Sequence, residues 1–101
     1  MTLYVVKAKP KGELMADLMK ELNSGKISKI RPFGEELQHG LENARIHSGY
    51  AYWVEEDYCS PPLAMERKGV LDRYFEDITV EGIESQEEGW NRIKDRPMLW
   101  K

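Results

Sequence analysis

The side chains best suited to chemistry are concentrated between residues 47 and 62, where the sequence reads HSGYAYWVEEDYCSPP. This stretch contains three consecutive acids, the only cysteine of the chain and one of its two histidines. A thiol can act as a nucleophile, carboxylates can hold protons or hard cations, and an imidazole can transfer protons or bind a metal. The spacing of these groups, and the elements that carry them, decide between such roles.

Cys59 is a candidate nucleophile. A cysteine becomes reactive when a nearby cation, a histidine or a helix N-terminus stabilises its thiolate. Cys59 directly precedes a predicted helix, which favours reactivity, whereas the acids at residues 55–57 oppose it. We therefore interpret Cys59 as a small, partly buried residue at the start of a helix, and keep a catalytic Cys59 as the less favoured alternative. No catalytic residue is assigned.

The acids Glu55, Glu56 and Asp57 are candidate ligands for a hard cation, which prefers oxygen donors. However, successive residues of a strand point to opposite faces, and no calcium-loop spacing surrounds these acids. We interpret the run as the solvated end of a strand. His39 and His47 have no further ligand pattern around them, so we predict no metal site and no cofactor.

The predicted ligand-binding residues are an arginine and three tyrosines: Arg31, Tyr4, Tyr50 and Tyr52. Arg31 can hold an anionic group through its fork of N–H donors, or it can pair with Glu35 or Glu36. The tyrosines suit an aromatic groove on an uncovered sheet face, although packing in the core or in a dimer interface explains them as well.

The composition limits the classes of function. The 101 residues suit a single domain, residues 1–101, and 41% hydrophobic content is typical of a folded protein. A net charge of −3 gives no global attraction to phosphate backbones, which disfavours nucleic acid as a partner. No apolar run approaches the roughly 20 residues that span a membrane, and no secretion signal is evident, so we expect a cytoplasmic protein.

Alternating and helical patterns predict four strands and two long helices. The strands are predicted at residues 3–8, 27–33, 49–54 and 78–83, each rich in β-formers. The first helix is predicted at residues 13–22, with apolar residues at helical spacing and Gly25 as its stop. The second helix is predicted to start at Ser60-Pro-Pro, with Leu63, Val70, Leu71, Tyr74 and Phe75 as its buried stripe and Glu66 solvated.

This order predicts an α+β fold, namely a ferredoxin-like βαββαβ antiparallel sheet with helices on one face. A capping box at residues 85–88 then predicts a short C-terminal helix, followed by an apolar tail at residues 97–100. Residues 34–48 carry mixed signals and receive no assignment. Because strands 1 and 3 are apolar on both sides, the open sheet face needs a cover. We predict a homodimer that closes face to face. The alternative is that Trp90 and the tail at residues 97–100 fold back within the subunit as the cover, or reach across to the partner.

Several features of this layout match a known group of proteins: Leu3-Tyr-Val-Val at the start, a helix that ends before Gly25, Ser60-Pro-Pro before a helix, Gly69-Val-Leu, and Ile78-Thr-Val. Over about residues 3–83 the chain resembles the dimeric α+β barrel superfamily, which includes muconolactone-isomerase-like proteins. One branch of small barrel proteins carries a histidine on the first helix and an aspartate before the second. This chain has no histidine on helix 1, and Ser60 or Pro61 stands at the place of the acid, so the resemblance implies no catalytic residue.

Three functional hypotheses follow. The first is a homodimeric α+β-barrel-type protein that binds a small organic or anionic ligand at its open sheet face. The second is a small isomerase- or hydrolase-like enzyme, which requires a solvent-reachable cavity with Arg31, His39, His47 or Cys59 beside an acid. The third is an RNA-binding module of the same topology, because aromatic residues on an open sheet can stack bases. The aromatic strand at residues 49–53 echoes only part of the usual RNA-binding signature.

Overall fold

The computed structural model describes residues 2–100. Its elements in chain order are β1 (Thr2–Pro10), α1 (Met15–Ser24), α2 (Gly34–Glu42), β2 (Arg45–His47), β3 (Tyr50–Asp57), α3 (Ala64–Glu66), α4 (Asp72–Tyr74), β4 (Phe75–Ile83) and α5 (Gln86–Ile93). A 3₁₀ turn, Gly12–Leu14, precedes α1, and a π-helical segment, Arg67–Leu71, joins α3 to α4. No helix in this part of the chain has the length and apolarity needed to cross a membrane.

The four strands form one sheet in the order β2-β3-β1-β4, and each neighbouring pair is antiparallel. The predicted α+β class with an antiparallel sheet is therefore confirmed. β1 and β3 pair over their full common length, from Thr2 opposite Asp57 to Ala8 opposite Ala51. Ser48 and Gly49 form the two-residue connection between β2 and β3, and both have positive φ angles, 51° and 83°. Such angles suit the tight hairpin turns that match strand twist.

Helix α2 lies along the edge of β3 beyond the point where the short strand β2 ends. β2 pairs only with residues 50–52, so the backbone groups of β3 beyond this point need other partners. Glu36 Oε2 accepts the N–H of Glu56 at 3.0 Å. Gly40 lies so close to the strand that an added Cβ would be 3.0 Å from the carbonyl oxygen of Val54. A glycine at this position is what lets the helix lie beside the strand.

The sheet carries a large core on one face and a smaller one on the other. The large core joins Val6, Ala8 and Trp53 of the sheet to the buried residues of α1, α2 and the 63–74 region. The small core is formed by Val5, Val54 and Ile93. Because Ile93 belongs to α5, this helix covers the middle of the second face. The predicted alternative of a cover from within the chain is thus present.

The C-terminal segment is held against the rest of the chain, as the apolar character of its tail suggests. Ser85 caps α5 as predicted, by accepting the N–H of Glu88 at 3.1 Å, whereas the Glu88 carboxylate accepts the N–H of Glu84, one residue before the cap, at 2.8 Å. Beyond α5, the backbone of the tail pairs beside β2, where the Ile46 N–H donates to Pro97 O at 2.8 Å. The indole N–H of Trp100 donates to Leu41 O at 2.6 Å. These bonds fix the tail against both α2 and β2.

The prediction of a strand at residues 27–33 is wrong. This segment forms consecutive turns, and the second strand lies later, at Arg45–His47. The Gly34 N–H donates to Ile30 O at 2.7 Å, and a Cβ at Gly34 would lie 2.2 Å from Ile27 O. The chain therefore folds back on itself at residues 27–34, as only a glycine at its end permits, and an extended strand is impossible there.

The second helical region starts later than predicted. α3 begins at Ala64, and its N-cap residue, Leu63, makes no side-chain capping bond. Residues 58–63 form a loop instead of a first helical turn, and Ser60 does not cap. The predicted burial of Leu63, Val70, Leu71, Tyr74 and Phe75 is confirmed, but Leu63 lies before α3 and Phe75 begins β4, so these residues do not form the stripe of a single helix. The helix cannot begin at Ser60, because Leu63 has a left-handed backbone conformation with φ 61°, which a helix cannot contain.

Candidate functional site

A cavity of about 390 Å³ lies where β3 ends. Its walls come from the end of β3, the 58–63 loop, α3 and the start of α2 with the loop before it. Five of the residues that line it are acids: Glu35, Glu36, Glu56, Asp57 and Glu66. Phe33 and Met65 add apolar surface, and Cys59 adds a thiol. None of the lining residues is a lysine, arginine or histidine, so the cavity is strongly acidic.

Strand alternation places two acids of β3 inside the protein. Glu55 and Asp57 share the face of Trp53, because residues two apart on a strand point the same way. Glu55 is 0% exposed and Asp57 is 4% exposed. The interpretation of residues 55–57 as a solvated strand end is therefore wrong for these two acids. The reason is that β1 pairs with β3 as far as Asp57, the last residue of β3, and that α3 closes over this end of the strand.

Glu66 joins this pair from the opposite wall. It is 1% exposed, although it was predicted to be solvated. It ends α3 and directly precedes the π-helical segment Arg67–Leu71. A π-turn widens a helix by one residue and is frequent at functional sites. Phe33 packs beside this segment, since a Cβ at Gly69 would lie 3.2 Å from its ring.

The hydrogen bonds of the three acids are incomplete. The indole N–H of Trp53 donates to Glu55 Oε1 at 2.9 Å, and the Leu63 N–H donates to Asp57 Oδ2 at 2.6 Å. In contrast, Glu55 Oε2 and Glu66 Oε1 are buried and have no hydrogen-bond partner among residues 2–100. None of the four ion pairs found within residues 2–100 involves these acids. The cluster therefore has no internal counter-charge.

Burial makes the charged forms of these acids costly. It raises the pKa of Glu55 well above its ordinary value, and the Trp53 hydrogen bond opposes this effect only in part. Burial is also the main cause of the raised pKa of Glu66, to which the charge of Asp57 adds. Two ionised carboxylates have no hydrogen between them, so Glu55 and Glu66 can pair only through a shared proton or a bound cation.

Cys59 completes the cluster from the 58–63 loop. Its Sγ and one carboxylate oxygen from each of Asp57 and Glu66 lie within 4.8 Å of one another. The Asp57–Leu63 hydrogen bond ties the two ends of the loop together and so holds Cys59 over the cavity. The left-handed conformation of Leu63 is a cost that this bond offsets. Local strain of this kind often marks a functional loop.

The four predicted ligand-binding residues do not lie together. Tyr4 packs against the large core on the Trp53 face, whereas Tyr52 packs against the small core on the other face. Tyr50 shares the face of Tyr52, and the Lys7 ammonium lies 4.5 Å from its ring centre. Arg31 is exposed and lines a separate cavity of about 250 Å³. An aromatic groove built from Tyr4, Tyr50 and Tyr52 is therefore excluded.

The two histidines lie outside the acidic cavity. His39 packs edge-on against Trp90 with ring centres 6.1 Å apart, and His47 is exposed at the end of β2. Among the residues named in the enzyme hypothesis, Cys59 alone lines this cavity beside an acid. The enzyme hypothesis requires one of its named residues beside an acid in a solvent-reachable cavity, and Cys59 meets this condition.

Sequence reasoning overlooked Glu55 and Glu66, although a signal for each was present. Glu55 has the same parity as Ala51 and Trp53, so strand alternation alone places the three side chains on one face. Glu66 lies three residues after Leu63 and four before Val70, within the predicted buried stripe. A charged residue at a core position is informative because an unpaired buried charge is costly.

Comparisons with known proteins complete the description. The chain matches no protein-family model, and searches of curated proteins and of solved structures return no significant match. The residues of the acidic cavity are therefore the basis for assigning a function.

Proposed function

We propose that this chain is a ligand-binding α+β protein whose ligand is a cation held in the acidic cavity. The observation that carries the proposal is the pair of buried, unpartnered carboxylate oxygens, Glu55 Oε2 and Glu66 Oε1. Burying a carboxylate without a partner costs several kcal/mol unless the group is neutralised. A cation bound in the cavity neutralises Glu66 directly and lowers the cost of a charge on the neighbouring Glu55.

A purely structural role explains the cluster less well. A fold that only needed to fill this space would gain stability from leucine or methionine at positions 55 and 66, since a hydrophobic replacement of buried charge is often stabilising. Glu66 instead lines the cavity together with four other acids, and Glu55 lies next to Glu66. Residues that cost stability and face a cavity are a physical signature of a binding site.

A thermal-shift series tests cation binding. The purified protein is freed of metal with a chelator, and its melting temperature is measured with Mg²⁺, Ca²⁺, Mn²⁺, Zn²⁺, putrescine or spermidine. At least one cation is expected to raise the melting temperature of the wild type, because a ligand bound only by the native state stabilises it. Glu66→Gln should abolish the shift, whereas Glu76→Gln, on the exposed part of β4, should retain it. No shift with any of these cations would refute the proposal.

We further propose that the fold is of the ferredoxin-like type. In that arrangement the first and third strands are neighbours at the centre and the second and fourth lie at the edges. The order β2-β3-β1-β4 supports this assignment, as do the antiparallel pairings. Helix α2 is an addition between the first crossover helix and β2. An experimental structure with a different strand order or orientation would overturn the assignment.

The predicted homodimer remains a proposal, and the position of α5 changes the surface it would use. Face-to-face closure would need the area of Val5 and Val54, which α5 already covers. The free edge of β4 runs for nine residues and has β1 as its one strand neighbour. Pairing of β4 edges is therefore the more accessible route. Light scattering at micromolar concentration tests the dimer, and a mass of 11.8 kDa, that of one chain, would exclude it under those conditions.

A small enzyme is a second candidate because Cys59 lies beside Asp57 and Glu66 in an open cavity. No histidine lines this cavity to activate the thiol, so nucleophilic catalysis of the cysteine–histidine type is not supported. Two carboxyl groups with raised pKa values suit proton transfer better. Exchange of solvent protons into a panel of small ketones, lost in Glu66→Gln but kept in Cys59→Ser, would support this role. No exchange above the buffer rate would oppose it.

A further inference from the structure

We infer that the cation of the proposed function is a divalent transition-metal ion, bound by Asp57, Cys59 and Glu66. The inference rests on that function and adds the identity of the ligand. The donor atoms of these residues lie within 4.8 Å of one another. Around a tetrahedral ion such as Zn²⁺, with bonds of about 2.0–2.3 Å, donor atoms are roughly 3.6 Å apart. Side-chain movements of about 1 Å therefore bring the three donors to bonding distance.

The thiol determines the class of metal. Mg²⁺ and Ca²⁺ bind almost entirely through oxygen, and an organic ammonium group gains nothing from a thiolate. Zn²⁺, Co²⁺ and Fe²⁺ accept thiolate together with carboxylate ligands. The only cysteine of the chain lies at this cluster. A mixed sulfur and oxygen donor set therefore favours a transition metal over the other cations.

The other contacts of the two carboxylates support their role as ligands. Asp57 Oδ2 accepts the Leu63 N–H, which holds the Asp57 carboxylate beside Cys59 and Glu66. Glu66 is 1% exposed and lines the cavity, and its Oε1 has no hydrogen-bond partner. A second contact that orients a metal ligand is usual in metal sites and strengthens binding. Here the backbone of the 58–63 loop orients Asp57.

The site has the composition of an open centre. Structural zinc sites are closed by four protein ligands, whereas sites that bind substrate or water have three protein ligands and a free position. Asp57, Cys59 and Glu66 supply three, and the cavity of about 390 Å³ adjoins them. The free position is therefore available to a small molecule, with Phe33 and Met65 as its apolar contacts.

Cobalt titration of the chelator-treated protein tests the inference. Co²⁺ bound to a thiolate gives a charge-transfer absorption in the near ultraviolet, which reports directly on Cys59. The wild type is expected to bind one equivalent with this band. Cys59→Ser should lose the band, and Asp57→Asn and Glu66→Gln should weaken binding about 10- to 100-fold. Glu76→Gln is the control, since Glu76 is exposed on β4 and does not line the cavity; its affinity should match the wild type.

The possible outcomes separate this inference from the proposed function. If Mg²⁺ or a polyamine binds in a Glu66-dependent manner while Co²⁺ shows no thiolate band, cation binding stands and the transition-metal site is wrong. If no cation binds, both fall. If Co²⁺ binds Glu66→Gln as tightly as the wild type, the assigned ligand set is wrong. Circular dichroism of each variant monitors folding, and the conservative change Cys59→Ser suffices for the test if Asp57→Asn fails to fold.

Discussion

The two halves of strand β3 differ sharply although they share one face of the sheet. The first half places Ala51 and Trp53 in the large core, and Trp53 packs against Phe75 with ring centres 5.2 Å apart. The second half places Glu55 and Asp57 in the interior, where Glu55 Oε2 has no partner. The first half contributes stability through packing, whereas the second half holds buried charge that costs stability. Under the proposed function, the second half is the part of β3 that contributes to cation binding.

Replacing Trp53 should give the largest effect, because this residue links the two halves. Trp53→Ala removes a fully buried ring and the donor to Glu55 Oε1. We expect the free energy of unfolding to fall by about 3–5 kcal/mol, as for other large-to-small core changes. Chemical denaturation monitored by circular dichroism measures this loss.

Trp53→Phe separates the two contributions. It keeps most of the packing but leaves Glu55 Oε1 without its donor, which should cost about 1–3 kcal/mol. A loss in Trp53→Phe as large as that in Trp53→Ala would show that the hydrogen bond, and not the ring, is the main contribution. The packed half would then depend on the acidic half.

A smaller effect is expected where α2 contacts the packed half. Gly40→Ala introduces a Cβ 2.8 Å from Trp53 Cδ1 and 3.0 Å from Val54 O. Either the helix or the strand must shift, so we expect a loss of about 1–3 kcal/mol in the free energy of unfolding. Gly82→Ala on β4 is the control, since its Cβ would have no neighbour within 4 Å. Equal stability of the two variants would mean that the close contact of α2 with β3 is absent in solution.

This comparison also shows what the sequence could and could not predict. The strand at residues 49–54, the burial of the apolar residues between 63 and 75 and the N-cap at Ser85 depend on local spacing, and the structure contains all three. The path of residues 27–48 depends on the close contact of Gly34 with the backbone of residues 27–28 and of Gly40 with β3, and neither contact is visible in the spacing of apolar residues. The acidic site was missed for a related reason. The burial of Glu66 results from the way α3 closes over the end of β3, a tertiary contact between elements distant in the sequence.

Removing charge from the acidic half should raise the free energy of unfolding, whereas the changes in the packed half lower it. Glu55→Gln keeps an oxygen that can accept the Trp53 N–H and adds an amide donor toward Glu66. The repulsion between the two carboxylates at positions 55 and 66 is thereby removed. We expect the metal-free protein to gain about 1 kcal/mol of stability at pH 7. The same change should weaken cation binding, because Glu55 contributes negative charge beside Glu66. A loss of stability in Glu55→Gln would instead indicate that the acid is a structural residue.

The pH dependence of this gain follows from the direction of the pKa shifts. Burial raises the pKa of Glu55 in the folded state, so its contribution to stability is complete below its unfolded pKa, about 4.3. That contribution is lost as pH rises through the higher pKa of the folded state. At such pH the native state either retains a proton that the unfolded chain has released or buries a charged carboxylate, and both lower the free energy of unfolding. The stability difference between Glu55→Gln and the wild type should therefore be smallest near pH 4 and grow toward neutral pH in metal-free buffer. Denaturation curves at several pH values measure it, and saturating Zn²⁺ should remove the growth if a cation neutralises the cluster. A difference that is constant with pH would mean that Glu55 is not held in the low-dielectric interior, and the contrast between the two halves of β3 would then be lost.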